Sequence, residues 1–420
     1  MGNEEGQREH VAVVGAGIVG VSSALHLLRL GARVTLVDAK DPGDADAASY
    51  GNGGVLACCA VVPVATPGIM FKAPSMMLSA DGPLFIRWSY MLRLMPWLVP
   101  YLRSSSRKTV EHIARNLAPL LHDSVDEHKG LAQGTKAERW IQSSEYMYLY
   151  ESREAFEGDA FGWRLREEHG YKWRILEGDA IRELCPDLSP SYRYAVVLQD
   201  HGMISNPGAY VQDLAETFCA EGGIFIRAAV KDLETTDGGV RLKTDGEDIT
   251  ADRVIVATGA KSHALAGKFG ANVPLETERG YHLELFDANK KPTIPVMDAK
   301  RKFVATPMGH ALRLAGIVEF GGLEAPPSKG PENLLLRGAN ALLPGLEYSS
   351  KKTWMGHRPA TADSLPVIGA APAASQVYFA YGHHHVGLTA GPKTGRLVAQ
   401  LVMGLQQNVS LDAYRCDRFS

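Results

Sequence analysis

The clearest pattern of apolar and polar positions lies near the start of the chain, in HVAVVGAGIVGVSSALHLLRLGARVTLVDA. The unbroken apolar run Val11 to Val14 predicts a short buried strand, and apolar residues then recur at helical spacing to about Leu30. A second strand is expected from Arg33 to Val37, ending in Asp38. Gly15, Gly17 and Gly20 separate the first strand from the helix in the backbone of the segment Gly15, Ala16, Gly17, Ile18, Val19, Gly20. Gly15 permits the tight turn, Gly17 lets the chain approach a pyrophosphate at the helix N-terminus, and Gly20 lets helix and strand pack closely. Asp38, followed by Ala39, stands 18 residues beyond Gly20, placed to accept hydrogen bonds from an adenosine ribose and to repel a 2′-phosphate. FAD or NAD is the expected ligand, and NADP is excluded.

The rest of the chain alternates in two ways. AASYGNGGVLA, residues 47–57, breaks all periodicity; its Ser49, Asn52, Gly53 and Gly54 predict a hydrogen-bonding backbone able to approach a planar ring. Residues 143–152, 194–205, 278–286 and 310–320 alternate like half-buried strands. Helical periodicity fills 153–170, the stretch ending at Pro186, and PGAYVQDLAETFCAEGG after Asn206. DRVIVATGA, 252–260, predicts a buried strand running into Thr258 and Gly259, after strands and turns between 228 and 249. A strand from Val377 to Tyr381, a glycine turn and an apolar helix beginning near Pro392 close the pattern, and no internal repeat or low-complexity tract interrupts it.

Composition narrows the partner class. The 420 residues are 45% hydrophobic and 22% charged, with a net charge of −3. That is a globular mixture with no basic field for nucleic acid, so a small-molecule partner is expected. Five scattered cysteines without a CxxC spacing read as reduced thiols, and the polar, acidic N-terminus does not resemble a signal peptide; both point to the cytoplasm. GHHHVGLTAGPKTGR, 382–396, is a poor metal cage, because only His383 and His385 share a side of an extended segment, and no metal is expected. LFIRWSYMLRLMPWLVPYLRSSSRK, 84–108, is too interrupted by arginines and Pro96 to span a bilayer. A helical cover over the substrate domain is the preferred reading of it; the alternative is an amphipathic patch at the inner face of a membrane.

VVGAGIVGVSSALHLLRLGARVTLVD, SYGNGG, ERGYHLEL, LRLAGIVEFGG, GHRPATADSLPVIG and GHHHVGLTAGPKTG follow one another from residue 11 to about 403. In that order they resemble the flavin-dependent D-amino-acid oxidase and dehydrogenase superfamily, most closely its bacterial D-amino-acid dehydrogenases. The resemblance implies an α/β protein: a Rossmann-like FAD-binding domain plus an α+β substrate domain with a mainly antiparallel sheet. It implies FAD-binding segments at 8–60, 206–265 and 351–405, a segment at 61–205 that is mainly substrate domain, and a substrate-domain segment at 266–350. It implies non-covalent FAD, since no cysteine lies between Cys219 and Cys416 to tether the flavin there. Flavin contacts are expected from the first glycine segment, from Ser49, Asn52, Gly53 and Gly54, and from Val230, Ala257, Thr258 and Gly259. Gly382, His383, Gly387, Leu388 and Thr389 complete the set, the last helix pointing its N-terminus at the pyrimidine edge of the ring.

The same resemblance puts a carboxylate-binding arginine in GHRP, at Arg358, with the alternative of a structural ion pair. Tyr281, beside His282, is a candidate for the carboxylate or the amine; both residues are equally compatible with plain sheet positions. His384 and His385 face substrate, face flavin or only fill space, and His201 reads as a turn residue beside Gly202. The implied reaction is hydride transfer from the substrate α-carbon to flavin N5, giving an imine, without a dedicated base. Expected donors are D-amino acids or cyclic imino acids; oxidation of N-substituted glycines and a non-catalytic flavin-binding role are the alternatives. Quinone, an electron carrier or O2 is the expected acceptor.

Overall fold

The computed structural model describes residues 8–69, 82 and 84–419. Six strands form the first sheet: β1 (His10–Val14), β2 (Arg33–Asp38), β8 (Ile224–Arg227), β12 (Arg253–Val256), β18 (Val367–Ala371) and β19 (Ala374–Tyr381). They lie in the order β18, β19, β12, β1, β2, β8, parallel except for the β18–β19 pair. Every residue of β1 is buried, which is why its sequence is apolar rather than alternating. Gly15 turns out of β1 with φ +108°, and a Cβ on Gly20 would lie 1.7 Å from the Gly15 carbonyl oxygen, so helix Ile18–Arg29 packs backbone against backbone.

The last helix is Gly387–Val402, five residues longer at its start than Pro392 suggests. Pro392 sits inside it and has no N–H for the Leu388 carbonyl. Nε2–H of buried His128 donates to that oxygen instead (2.9 Å), while Nδ1 accepts from the Tyr210 hydroxyl (2.8 Å). Burial holds the His128 pKa down to about 4, consistent with the neutral ring this geometry needs. Gly391 and Gly395 press this helix onto Ile18 and Ser22 of helix Ile18–Arg29.

A ten-stranded, mainly antiparallel sheet faces the first. Its main path runs β17 (Ser350–Thr361), β13 (Leu275–Phe286), β16 (Ala311–Phe320), β15 (Phe303–Pro307), β14 (Val296–Asp298), β5 (Ile141–Tyr150), β7 (Tyr194–Ile204), β3 (Val55–Leu56). β4 (Leu84–Ile86) joins β16, and β6 (Trp173–Glu177) joins β7. A small antiparallel sheet of β9 (Val230–Thr236), β10 (Gly239–Thr244) and β11 (Ile249–Ala251) completes the α/β architecture.

Two strands pair across the domain boundaries expected from sequence, and two helices of the mainly substrate-domain segment pack on the other side. β17 lies, except for Ser350, inside the expected FAD-binding segment 351–405 yet pairs with β13 along its whole length, at one edge of the ten-stranded sheet. β3, inside the expected segment 8–60, pairs with β7 of that same sheet. Conversely, Arg107–Leu121 and Ser124–Ala132, in the segment expected to be mainly substrate domain, pack on the last helix, with Lys393 bonded to Asp123 (2.6 Å) and Arg396 to Glu127 (2.6 Å). Contiguity along the chain does not decide which apolar face a helix or strand buries.

Helix Met91–Arg103 turns Leu94, Trp97 and Tyr101 inward, with the Trp97 indole N–H on the Ala360 carbonyl (2.8 Å). Its other side, with Trp88 before it, exposes Leu92, Met95 and Val99. Among the described residues no helix is long and apolar enough to cross a membrane.

Candidate active site

Between the two large sheets lies a cavity of about 1720 Å³. One end is lined by Gly15, Ala16, Gly17, Ile18, Val19, Asp38, Ala39, Val230, Ala257, Thr258 and Gly259, and by Ser49, whose hydroxyl accepts from Ile18 N (3.1 Å) rather than standing apart with the rest of its loop; the lining continues through Asn52, Gly53, Gly382, His383, Gly387, Leu388 and Thr389. The volume exceeds the roughly 300–1,000 Å³ of a usual small-ligand site and suits a dinucleotide with a second small molecule beside it. The fit is also local. A Cβ on Gly17 would meet only Ser49 Oγ, at 3.5 Å, and one on Gly259 would meet nothing within 4 Å, so both backbones are open to a ligand. Asp38 accepts from Ala16 N (2.7 Å) and Lys40 N (3.0 Å). Helix Gly387–Val402 begins at Val386 without a side-chain cap, leaving its N-terminal dipole to the cavity.

Two of the residues expected at the cofactor do not reach the cavity. Gly20 is buried against Gly15, as its packing role requires. Gly54, at φ +77°, is turned toward Met308 and the Ile204 carbonyl. The loop around it is pinned to the ten-stranded sheet through four successive carbonyls. Arg313 donates to Tyr50 O (3.3 Å) and Asn52 O (2.7 Å), His282 Nδ1 to Gly51 O (2.9 Å), and Thr306 to Gly53 O (2.7 Å). His282 is therefore a structural donor, stacked on Trp354 (5.1 Å between ring centroids), and burial holds its pKa down to about 3.

Arg358 lines the cavity from β17. Its Nη1 donates to Ile317 O (3.1 Å) and Nη2 to Gly316 O (3.2 Å), carbonyls presented by a bulge in β16. At that bulge Ile317 adopts φ +58°, a left-handed conformation costly for a β-branched residue. The guanidinium lies over Gly280, where a Cβ would stand 2.4 Å from Cζ. Two of five N–H bonds are used by these carbonyls, and three remain for a ligand.

Tyr281 is not beside it. Adjacent strand residues point to opposite faces, so Glu278, Gly280 and His282 share the cavity side with Arg358 while Tyr281 packs with Leu283 and Leu285 on the far side. There its hydroxyl bonds Glu319 and accepts from Ser328 N (3.0 Å). Fully buried Arg279 shares that far-side network, 3.2 Å from Glu319.

The three histidines are divided. His383 is buried on Thr394 (3.0 Å), and burial holds its pKa down to about 3. His384, at φ +50°, donates from Nε2 to Thr361 O (2.9 Å) and places Nδ1 3.7 Å from Glu278 Oε1. His385 is exposed, but into the cavity; deep placement and His384 hold its pKa down to about 4. His201 is a strand residue of β7, beside Asp200 at φ +57°, rather than a turn residue. Its Nδ1 bonds Gln199 O (2.6 Å) and its Nε2 accepts from Cys59 N (3.2 Å), away from the cavity. No group of three or more His, Cys, Asp or Glu among the described residues is arranged around a metal position.

Glu278, Gly280 and Trp354 were not singled out from sequence. A signal was present in ETERGYHLEL: Glu276, Glu278, Gly280, His282 and Glu284 occupy one face of β13, all buried, in a strand whose other face also carries buried side chains. Gly within such a strand marks close approach of another group.

Residues 10–401 match the family described as FAD dependent oxidoreductase, DAO. The chain is 41% identical over 416 residues to a D-amino-acid oxidase of Bradyrhizobium diazoefficiens, covering 98% of this chain and 99% of that one. It is 30% identical over 409 residues to a D-amino acid dehydrogenase of Rhizobium johnstonii, covering 95% and 97%. In fold it is similar to the crystal structure of glycine oxidase from Geobacillus kaustophilus, with TM-score 0.74 at 20% identity over 98% of this chain and 99% of that one.

Proposed function

The chain belongs to the FAD-dependent oxidoreductase family, and on that premise we propose that it oxidises D-amino acids, cyclic imino acids among them, at the bond between the α-carbon and nitrogen. The observation that carries this reading is Arg358: a cavity-facing guanidinium held by two backbone carbonyls, with donors left for an α-carboxylate. The 41% identity to a D-amino-acid oxidase over nearly the whole chain supports the substrate class.

Bound without a covalent tether, the flavin supplies the hydride acceptor, and the amino acid becomes an imine that water hydrolyses to a keto acid. The chain's own work is binding and alignment. Gly15 to Val19, Asp38 and Ser49 hold the nucleotide end, and Asn52, Gly53 and the start of helix Gly387–Val402 hold the ring end. Arg358 fixes the carboxylate and so directs the α-carbon; Trp354 and Ile317 wall the same region of the cavity. His385 is neutral above about pH 5 and presents no competing charge to the ligand.

Anaerobic mixing with D-amino acids, their L-enantiomers, D-proline derivatives and sarcosine tests the proposal. Bleaching of the flavin by D-amino or cyclic D-imino acids is expected, and bleaching by sarcosine or L-enantiomers alone would replace the substrate class. Peroxide yield in air then assigns oxygen or another acceptor. Arg358→Ala is expected to raise the substrate concentration for half-saturation by about two orders of magnitude with FAD retained, since each charge-assisted hydrogen bond contributes about 1.5–3 kcal/mol. Arg358→Lys should recover part of that loss, because a point charge lacks the planar fork.

A further inference from the structure

Glu278 is the residue opposite Arg358 in the β13–β17 register, on the same face of the sheet, and its side chain is 2% exposed. A bare carboxylate beside the one cationic group proposed to meet substrate carboxylate would oppose that ligand. Arg358 does not neutralise it by direct contact, because the guanidinium leans away over Gly280 to the bulge carbonyls. The nearest counter-group is His384. Its Nε2–H is committed to Thr361 O, so Nδ1 is the site that gains or loses a proton; that atom is buried, without a hydrogen-bond partner, 3.7 Å from Glu278 Oε1.

We propose that Glu278 and His384 form a buried charge pair that sets the affinity of Arg358 for the substrate carboxylate. With His384 protonated, its charge offsets Glu278 and Arg358 is left to the ligand. With His384 neutral, the Glu278 anion opposes the ligand. The proton is exchanged with solvent, and both are positioning residues: they act through Arg358 and touch neither substrate nor flavin in the mechanism above. The inference rests on Arg358 holding the α-carboxylate.

The surroundings favour one titrating group. Burial lowers the His384 pKa, but Glu278 and the Thr361 carbonyl outweigh it and raise it above the usual histidine value. Burial raises the Glu278 pKa, but His384 and Arg358 outweigh it and hold the carboxyl ionised. His383 and His385, with pKa values about 3 and 4, stay neutral at pH 6 and above. Tyr101, facing Glu278 from helix Met91–Arg103, is pushed well above its ordinary pKa by burial and by Glu278, and stays neutral too. Asp363 is ion-paired with Arg418 (2.6 Å). Affinity for the carboxylate is therefore full while His384 of the ligand-free protein is protonated, and it falls as pH rises past that raised pKa.

The test uses FAD-loaded protein and propionate, a carboxylate with no amine to titrate, with Kd read from the flavin absorbance change and by calorimetry between about pH 6 and 9. Wild-type Kd is expected to rise about tenfold across this range. Glu278→Gln should bind tightly at every pH, and His384→Gln weakly at every pH, both without the slope. Opposite displacements separate charge from mere packing, which would weaken both variants alike. A flat wild-type profile, retention of the slope in Glu278→Gln, or equal weakening of both variants would each overturn the pair. Arg358→Lys distinguishes the underlying assignment: unchanged Kd at all pH values would remove Arg358 as the carboxylate site, whatever the other variants do.

Discussion

The two ends of the cavity are built in different ways. The end proposed to hold the nucleotide is largely backbone, glycines and a helix N-terminus from the stretch Gly15 to Ala39, with the carboxylates of Asp38, Asp41, Asp44 and Asp46 also in the lining. The opposite end is side chain against side chain, drawn from β13, β16, β17 and the histidine turn, segments far apart in the chain. Buried charges around β13 are matched: Glu278 with His384 (3.7 Å) on the cavity side, Glu284 with Arg313 (2.7 Å) where the loop at Tyr50 to Gly53 is anchored, and Glu319 with Arg279 (3.2 Å) on the far side. A backbone site tolerates no added atoms, whereas a side-chain site tolerates no unpaired charge.

The largest expected effect comes from adding atoms at the first end. Gly20→Val puts a Cβ 1.7 Å from a backbone oxygen, and no soluble folded protein is expected. Gly17→Val, whose Cβ meets only Ser49 Oγ at 3.5 Å, should fold and lose FAD. Visible flavin absorbance and thermal unfolding on both proteins check this; equal behaviour of the two would erase the distinction between packing glycine and ligand glycine.

At the second end, Gly280→Ala forces the Arg358 guanidinium off its bulge, since the new Cβ would stand 2.4 Å from Cζ. A guanidinium is the far end of a flexible side chain, so the protein should fold, and substrate affinity should fall about tenfold, equivalent to losing one hydrogen bond of about 1.4 kcal/mol. Steady-state kinetics with FAD content matched to wild type measures it, and an unchanged KM would show that the carbonyl clamp is dispensable.

Charge matching is tested by acid. Burial pushes the Glu284 pKa up, but the His310 hydrogen bond and Arg313 outweigh it and hold the carboxyl down to about 2. Its contribution to stability is present above the ordinary value of 4.5 and is lost as pH falls toward 2. Urea unfolding midpoints should therefore fall more steeply in wild type than in Glu284→Gln over that interval, and the variant should be the less stable at neutral pH, where Arg313 loses its partner. Parallel curves would assign the loop anchor to Arg313 and its carbonyls alone.

Tyr281→Phe should have the smallest effect on turnover, within roughly twofold, because the hydroxyl lies on the far face of β13. Stability should drop by about 1–2 kcal/mol as Ser328 N and Glu319 lose it. A large loss of turnover with intact stability would return Tyr281 to the cavity.

The same contrast explains what was legible in the chain. The opening βαβ unit was readable almost residue by residue, since β1, helix Ile18–Arg29 and β2 are contiguous and their pattern reflects local hydrogen bonding and burial. β13 and β16 were readable as strands, but not which face of β13 meets the cavity. Alternation assigns residues to two faces without naming them, and both faces of β13 are buried. Tyr281 was accordingly left between a cavity role and a plain sheet position, and Glu278 and Gly280 went unnoticed.

By itself the sequence determined the βαβ unit, the carboxylate of Asp38 at the end of β2 and the presence of an arginine in GHRP, because glycine spacing and hydrophobic period are properties of adjacent residues. Tertiary structure alone decided that β17 lies beside β13, that Ile317 bulges to offer two carbonyls to Arg358, and that His384 meets Glu278. Those contacts join residues dozens of positions apart, and pairing of buried charges across that distance depends on strand register, which local pattern does not encode.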